Sequence, residues 1–243
     1  MSDSVRYKEK SGVFMKFDYV NKHIIVRLDN HNLIVDTGSP ESFSFNPALK
    51  SIKIYEHDFY LSRNSYNVNK EKVEKLVGTR VDGFLGMDIL GRTNMVINFV
   101  DNDIRFEYVR GEILCFLENR EFVCTKDLTI NGKDGFMAVI DSGAKINYVS
   151  EEYVRTSDKQ TDGFEDWSPT FGNLSGDLYD IRIGRLTMGS GSYTCDAQAG
   201  VIRKGLNPLK YISAGAILNP ESLIPEDKTV ISFDFTGKSV DLL

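Results

Sequence analysis

Cysteine, histidine, proline and tryptophan are scarce in this chain of 243 residues, which has three, three, six and one of them respectively. The three cysteines, Cys115, Cys124 and Cys195, are odd in number and far apart, which favours reduced thiols over a disulfide framework. The histidines form no His-Glu-x-x-His pattern, and the cysteines do not pair closely. The sequence therefore predicts no metal site and no cofactor.

Long apolar runs are absent as well. No stretch approaches the roughly 20 apolar residues that a membrane-spanning helix requires. Residues 1–10 also lack the apolar core of a signal peptide. We therefore expect a cytoplasmic protein that does not contact a membrane. The formal net charge of -6 at pH 7 predicts that nucleic acid is not a partner.

Residues typical of β-strands are abundant. The chain has 15 Phe and 11 Tyr residues, and its short runs of Val and Ile are separated by turns of Gly, Asn and Asp. This composition predicts a mainly β protein. The length suits either one large β domain or two lobes of about 100 to 120 residues each.

Two similar tripeptides follow apolar runs in the two halves of the chain. Residues 33–38 read Leu-Ile-Val-Asp-Thr-Gly, and residues 137–143 read Met-Ala-Val-Ile-Asp-Ser-Gly. One such triplet is a common turn sequence. Two triplets supply two carboxyl groups, of which one can take a proton from water while the other donates a proton. This pair of functions is what hydrolysis without a metal or a covalent intermediate requires.

The surroundings of the two triplets repeat as well, which indicates an internal duplication. A strand pattern and a polar turn precede the apolar runs, at 23–30 and at 127–133. Each half closes with a Gly-containing apolar strand, a short helix and a final strand, at 84–103 and at 214–238. This comparison places Gly86 and Gly215 at equivalent positions in the two halves.

The repeated pattern resembles the aspartic peptidases. Residues 83–99 are similar to the part of retroviral proteases where an apolar-apolar-Gly strand enters a short helix that ends in a Leu pair. Two copies in one chain resemble the pepsin-like enzymes. The resemblance implies a bilobal acid-protease fold, in which two β-barrel-like lobes, 1–112 and 113–243, are related by a pseudo-twofold axis with the active-site cleft between them. A monomer would then be sufficient for an active site, and the substrate would be a peptide or a protein.

The resemblance also implies roles for the residues of the triplets. Asp36 and Asp141 would share one proton, activate a water molecule and protonate the scissile carbonyl. Thr37 and Ser142 would hydrogen-bond across the axis to the opposite loop. Gly86 and Gly215 would support the two loops from behind and take no part in the chemistry.

The residues that follow the two aspartates complete the predicted site. Gly38 and Gly143 would let the backbone approach the carboxylates and donate N–H groups to them. Ser39 would donate its hydroxyl to the outer oxygen of Asp36, whereas Ala144 offers no hydroxyl to the second carboxylate. The loss of a donor raises the pKa of a carboxyl group, so we expect activity at mildly acidic to neutral pH.

A peptidase of this kind needs a flap, a hairpin that covers the substrate. The interval 36–86 lacks a Gly-bearing hairpin tip, so a flap in the first half would be shortened or replaced. The tyrosines of this interval, Tyr55, Tyr60 and Tyr66, match the flap tyrosine of pepsin-like enzymes by residue type alone. Residues 171–176 have the composition of a hairpin tip. We therefore predict substrate contacts in the second half, by Gly172, Asn173 and Leu174.

Two other interpretations stay open. A noncatalytic pepsin-like protein could keep the two aspartates and bind peptide or protein segments in the cleft between the lobes. A Ser-His-Asp triad has no fixed spacing in sequence, although no pattern here indicates one. The Gly-rich segments lack both the Lys of a phosphate-binding loop and the spacing of a nucleophile elbow.

Overall fold

The computed structural model describes residues 12–54, 56–64, 67–108, 122–188, 191–224, 230–234 and 239–242. Within these ranges the chain forms nineteen strands in three sheets, together with three α-helices. The protein is mainly β, as predicted. None of the helices in these ranges is long and apolar enough to cross a membrane.

The first half of the chain contains ten strands and two α-helices. In order they are β1 (Val13–Val20), β2 (His23–Leu28), β3 (His31–Val35), β4 (Phe43–Ser44), β5 (Ser51–Ile54), β6 (His57–Tyr60), β7 (Ser62–Arg63), α1 (Lys70–Val77), β8 (Gly83–Leu85), α2 (Met87–Leu90), β9 (Thr93–Asn98) and β10 (Asp103–Tyr108).

The second half adds nine strands, one α-helix and three short 3-10 helices. In order they are β11 (Cys124–Ile130), β12 (Lys133–Ile140), β13 (Asn147–Val149), β14 (Lys159–Ser168), β15 (Gly172–Met188), β16 (Gly191–Lys204), α3 (Pro208–Ile212), β17 (Ala216–Leu218), β18 (Val230–Asp234) and β19 (Ser239–Leu242). The 3-10 helices span Glu151–Tyr153, Thr156–Asp158 and Pro220–Leu223.

Two large sheets hold most of these strands. The first has the order β19-β18-β9-β10-β1-β2-β3-β8-β4-β7, and the second has the order β11-β12-β17-β13-β16-β15-β14. An additional pairing of β11 with β15 makes the second sheet curl back on itself. Strands β5 and β6 form a separate two-stranded sheet.

Tight turns connect the first three strands. Asn21-Lys22 joins β1 to β2 and Asp29-Asn30 joins β2 to β3, and all four residues have positive φ angles between 46° and 66°. Two-residue turns of this kind match the twist of a hairpin, and Asn and Asp tolerate the left-handed backbone that they require. The local sequence therefore determines the register that brings β3 to its end at Val35.

The two halves share a hydrophobic core. The largest cluster of buried side chains includes Val35 and Ile97 from the first half and Ile140 and Ile231 from the second. Burial of this apolar surface is the main force that holds the two halves together.

The last two strands join the sheet of the first half. Strand β18 pairs antiparallel with β9, with Ile231 opposite Ile97. The strands of the predicted second lobe, 113–243, are therefore divided between two sheets, because β18 and β19 belong to the sheet of the first half. The predicted boundary near residue 112 lies outside the described residues.

Candidate active site

The two Asp loops occupy equivalent places at the ends of buried strands. The first loop (36–39) follows β3, and the second loop (141–144) follows β12. Strand β3 runs parallel to β8, and the N–H of Asp36 donates to the carbonyl of Leu85 at 2.9 Å. Strand β12 runs parallel to β17, and the N–H of Asp141 donates to the carbonyl of Leu218 at 2.8 Å. The same local pairing thus positions both carboxyl groups.

Four hydrogen bonds join the two loops through Thr37 and Ser142. The N–H of each residue donates to the hydroxyl of the other, both at 3.0 Å. The Thr37 hydroxyl in turn donates to the Ile140 carbonyl, and the Ser142 hydroxyl donates to the Val35 carbonyl, both at 2.8 Å. Both side chains are buried. The predicted cross-loop bonds are present, and they are reciprocal.

Gly38 and Gly143 lie directly against the opposite carboxyl groups. A Cβ on Gly38 would lie 2.3 Å from Oδ2 of Asp141, and a Cβ on Gly143 would lie 2.4 Å from Cγ of Asp36. Each glycine N–H also donates to the aspartate of its own loop, at 2.9 Å for Gly38 and 2.8 Å for Gly143. Glycine is required at both positions because any larger side chain would displace a carboxyl group.

The two carboxyl groups hydrogen-bond to each other, and both have perturbed pKa values. Burial raises the pKa of Asp36 well above its usual range, and the charge of Asp141 and the hydrogen bond to it raise it further. Burial also raises the pKa of Asp141. Backbone N–H groups oppose that rise, one of them from Gly38 in the first loop. Two carboxyl groups this close share a proton, because both cannot ionise at low cost.

Ser39 does not make its predicted contact. Its hydroxyl donates to the Glu41 carbonyl at 2.9 Å, and a hydroxyl has one proton to donate. Ser39 instead acts on Asp36 through its backbone N–H, as Ala144 does on Asp141. The predicted cause of inequality between the two carboxyl groups is therefore wrong.

Gly86 lies behind the first Asp loop, as predicted. Its N–H donates to the Ser42 hydroxyl at 2.8 Å, and a Cβ there would lie 2.7 Å from the Ser39 carbonyl oxygen. Gly215 does not hold the equivalent position, because it precedes β17 and donates to the Met137 carbonyl at 2.8 Å. The prediction for Gly215 is wrong because it aligned Gly215 with Gly86, and this alignment of the two halves is shifted along the chain relative to the structure.

Asn219 occupies the position equivalent to Gly86. It follows β17 directly, is buried, and its N–H donates to Oδ1 of Asn147 at 2.8 Å. Its side-chain Nδ2 donates to the Ala144 carbonyl at 2.6 Å. A sequence signal for this match exists, since residues 84–90 and 217–223 both read apolar, Leu, x, x, acidic, x, Leu.

A long hairpin from the second half covers this site. Strands β14 and β15 pair antiparallel up to Ser168 opposite Gly172, so the turn lies at 169–171, slightly before the predicted tip. Leu174 is buried and lines the cavity. Gly172 and Asn173 pair with β14 beside it but do not line the cavity. The predicted hairpin is thus present, and Leu174 is the predicted contact residue that faces the site.

In the first half, α1 lies at the cavity, in the interval where a shortened or replaced flap was predicted. Its residues Val73 and Val77 are buried and line the cavity. Asn69 begins the helix with a side-chain cap, and Asn21 donates to the carbonyls of its last turn. Tyr60 is exposed on β6. The other two candidate tyrosines, at positions 55 and 66, lie outside the described residues.

The cavity between the halves has a volume of about 290 Å³ and contains both carboxyl groups. Equivalent apolar side chains line it on its two sides. These are Ile34, Phe43 and Phe84 in the first half and Val139, Tyr148 and Ile217 in the second. A cavity with apolar walls and two central carboxyl groups is suited to a ligand that has apolar side chains and a polar group on which the carboxyl groups can act.

Polar residues that were not predicted also line the cavity. His23 is buried, and burial lowers the pKa of its imidazole, so it is neutral at pH 7. Asp166 and Trp167 reach the cavity from the β14–β15 hairpin. Sequence patterns could not identify Asp166 and Trp167, because their place depends on how the hairpin folds over the loops. No group of three His, Cys, Asp or Glu side chains in the described ranges is arranged to hold a metal ion.

Comparison with known proteins adds no family assignment, because no protein-family model and no curated protein matches the chain.

Proposed function

We propose that this protein is an aspartic endopeptidase of the pepsin-like type, in which Asp36 and Asp141 hold the attacking water. The observation that carries the proposal is the pair of hydrogen-bonded carboxyl groups, each packed against the glycine of the opposite loop. A single Asp loop would be an ordinary turn. Two loops joined by reciprocal bonds between Thr37 and Ser142 are rigid, and rigidity is what acid–base catalysis requires of its groups.

Equivalent contacts in the two halves support a bilobal arrangement around a pseudo-twofold axis. The bond from Asn219 N–H to the Asn147 side chain matches the bond from Gly86 N–H to the Ser42 side chain. Ile97 and Ile231 are equivalent residues of the two halves, and they lie opposite each other in the ladder. A twofold axis that passes between them would produce this arrangement. The dyad would then lie where the axis passes between the loops.

The proposed chemistry follows from the proton that the two carboxyl groups share. One of Asp36 and Asp141 would carry this proton and donate it to the scissile carbonyl. The other would be ionised and take a proton from the water as it attacks. Because burial raises both pKa values, the singly protonated pair persists toward neutral pH. We expect activity from mildly acidic to neutral pH, on peptides with apolar residues on both sides of the cleaved bond.

The test is cleavage of a mixed peptide library between about pH 4 and 8, a range that brackets the expected optimum. Asp36→Asn and Asp141→Asn should each abolish cleavage, because each variant removes one of the two groups that have to take or donate a proton. Asp58→Asn, at an exposed position on β6, is the matched control and should cleave as the wild type does. Peptide binding without cleavage by the wild type would refute the proposal and favour a noncatalytic binding protein.

A further inference from the structure

The β14–β15 hairpin belongs to the second half but contacts the first. The ring of Trp167, near its tip, packs against a cluster of first-half side chains that includes Val73 and Val77 of α1. The ammonium group of Lys72, also on α1, lies 5.9 Å from the centre of the same ring. The hairpin therefore crosses the cleft, and α1 is the surface on which it rests.

A second contact fixes the hairpin to the floor of the cavity. The hydroxyl of Tyr148 donates to Oδ2 of Asp166, and Oδ1 of Asp166 accepts the N–H of Trp167 at 2.8 Å. Tyr148 is buried beside the second Asp loop, and its ring packs edge-on against Phe164 of β14. One carboxylate thus connects the cavity floor with the residue that reaches across to α1.

The hairpin differs from the other walls of the cavity in how it is held. The cavity has a volume of about 290 Å³, at the lower end of the range typical of ligand pockets, roughly 300 to 1,000 Å³. The walls formed by the strands belong to two packed sheets. The hairpin, by contrast, is held above the cavity by the contacts of Trp167, Asp166 and Phe171, the last of which packs edge-on against Tyr211 of α3.

We propose that Tyr148 is a positioning residue, which through Asp166 sets the β14–β15 hairpin in its closed position over the dyad with Trp167 seated on α1. The kinetic consequence of this inference rests on the proposed peptidase function. Its structural consequence rests on the contacts alone. In the first half the equivalent residue is Phe43, which has the same ring without the hydroxyl. The hydroxyl of Tyr148 is therefore available for a role that the first half does not have.

The structural test uses Trp167, which is the single tryptophan in the chain. Its fluorescence reports on the hairpin alone, and acrylamide quenching measures its access to solvent. Tyr148→Phe removes the hydroxyl and keeps the ring. Loss of one hydrogen bond should shift the ratio of closed to open hairpin about two- to tenfold toward the open state, and quenching should rise accordingly. Asp166→Ala should have the same effect, and the double variant should add little to either single one.

Tyr60→Phe is the matched control, because it removes the hydroxyl of an exposed tyrosine far from the hairpin in sequence. It should leave the quenching of Trp167 unchanged. Far-UV circular dichroism and the unfolding midpoint establish that each variant is folded. If Tyr148→Phe does not fold, the quenching of Asp166→Ala provides the result. Quenching in a folded Tyr148→Phe or Asp166→Ala variant that equals the wild type would overturn the proposal.

The kinetic test separates positioning from a general loss of stability. If the hydroxyl holds the hairpin closed over bound substrate, Tyr148→Phe should lower kcat about two- to tenfold and change KM by less, because closure follows binding. An unchanged kcat would overturn the positioning role. Absence of cleavage by the wild type would instead refute the proposed function, and the quenching comparison would still decide whether Tyr148 sets the hairpin.

Discussion

The side-chain Nδ2 of Asn219 donates to the Ala144 carbonyl at 2.6 Å, and this bond replaces a backbone bond found in the first half. There the N–H of Met87 donates to the Ser39 carbonyl at 2.8 Å. The residue equivalent to Met87 is Pro220, which has no N–H to donate. The asparagine amide thus supplies the donor that proline removes. Each Asp loop keeps a donor at the equivalent carbonyl, that of Ser39 in the first loop and that of Ala144 in the second.

Asn219→Gly should therefore destabilise the protein. The substitution leaves the Ala144 carbonyl without this donor, at a cost of about 1–3 kcal/mol for a buried group. In a protein of this size that corresponds to a decrease in Tm of about 2–4 °C per kcal/mol. Asn207→Gly is the matched control, since Asn207 also precedes a proline and caps a helix with its side chain. Both substitutions lose a cap. The difference in unfolding free energy between the two variants therefore measures the bonds that Nδ2 of Asn219 donates, to the Ala144 carbonyl at 2.6 Å and to the Lys22 carbonyl at 3.4 Å.

The double variant Asn219→Gly, Pro220→Met tests the explanation directly. It recreates the Gly86-Met87 pair of the first half and restores an N–H at position 220. We expect its unfolding free energy to recover toward the wild type. A double variant that is no more stable than Asn219→Gly would mean that the loop is held in some other way.

The cross-loop bonds lead to a prediction for Thr37. Thr37→Val keeps the shape of the side chain but removes the hydroxyl, which leaves the Ser142 N–H and the Ile140 carbonyl without their partner. Two buried groups without partners should cost about 2–5 kcal/mol of unfolding free energy. Thr37→Ser retains the hydroxyl and should cost less than about 1.5 kcal/mol. Urea unfolding of both variants makes the comparison, and equal stability would contradict the proposed importance of the hydroxyl.

Local sequence was sufficient to predict the mainly β character, the Asp loops and a hairpin in the second half. Each of these features depends on residues close together in the chain, such as the apolar run that ends at Asp36 or the Gly-containing segment 171–176. The role of Asn219 could not be found by searching for glycine, because a buried amide performs the task there. Trp167 and Tyr148 were missed because their importance arises from tertiary contacts, of Trp167 with α1 and of Tyr148 with the β14–β15 hairpin, which no local pattern records.

The raised pKa of Asp36 leads to a prediction about stability and pH. The folded state binds the proton of this carboxyl more tightly than the unfolded state does, since its pKa is higher when folded. The stabilisation from protonation is therefore complete below the pKa of the unfolded chain and is lost as the pH rises toward the folded pKa. Above that range the buried pair opposes folding, because charge must be kept in a site with little water.

Asp36→Asn removes a titrating group from this pair and keeps a similar shape, so it should stabilise the protein at pH 7 while it abolishes cleavage. We expect a gain of about 1 kcal/mol, or roughly 2–4 °C in Tm. The gain should shrink as the pH falls toward about 4, near the pKa of this carboxyl in the unfolded chain, because the folded wild-type carboxyl is then protonated. Thermal unfolding of Asp36→Asn, the wild type and the exposed-site variant Asp58→Asn at both pH values makes the test. A gain in stability that is constant with pH would mean that burial of charge at Asp36 does not limit the stability of the fold. A gain confined to the higher pH would connect that stability to the carboxyl pair proposed for catalysis.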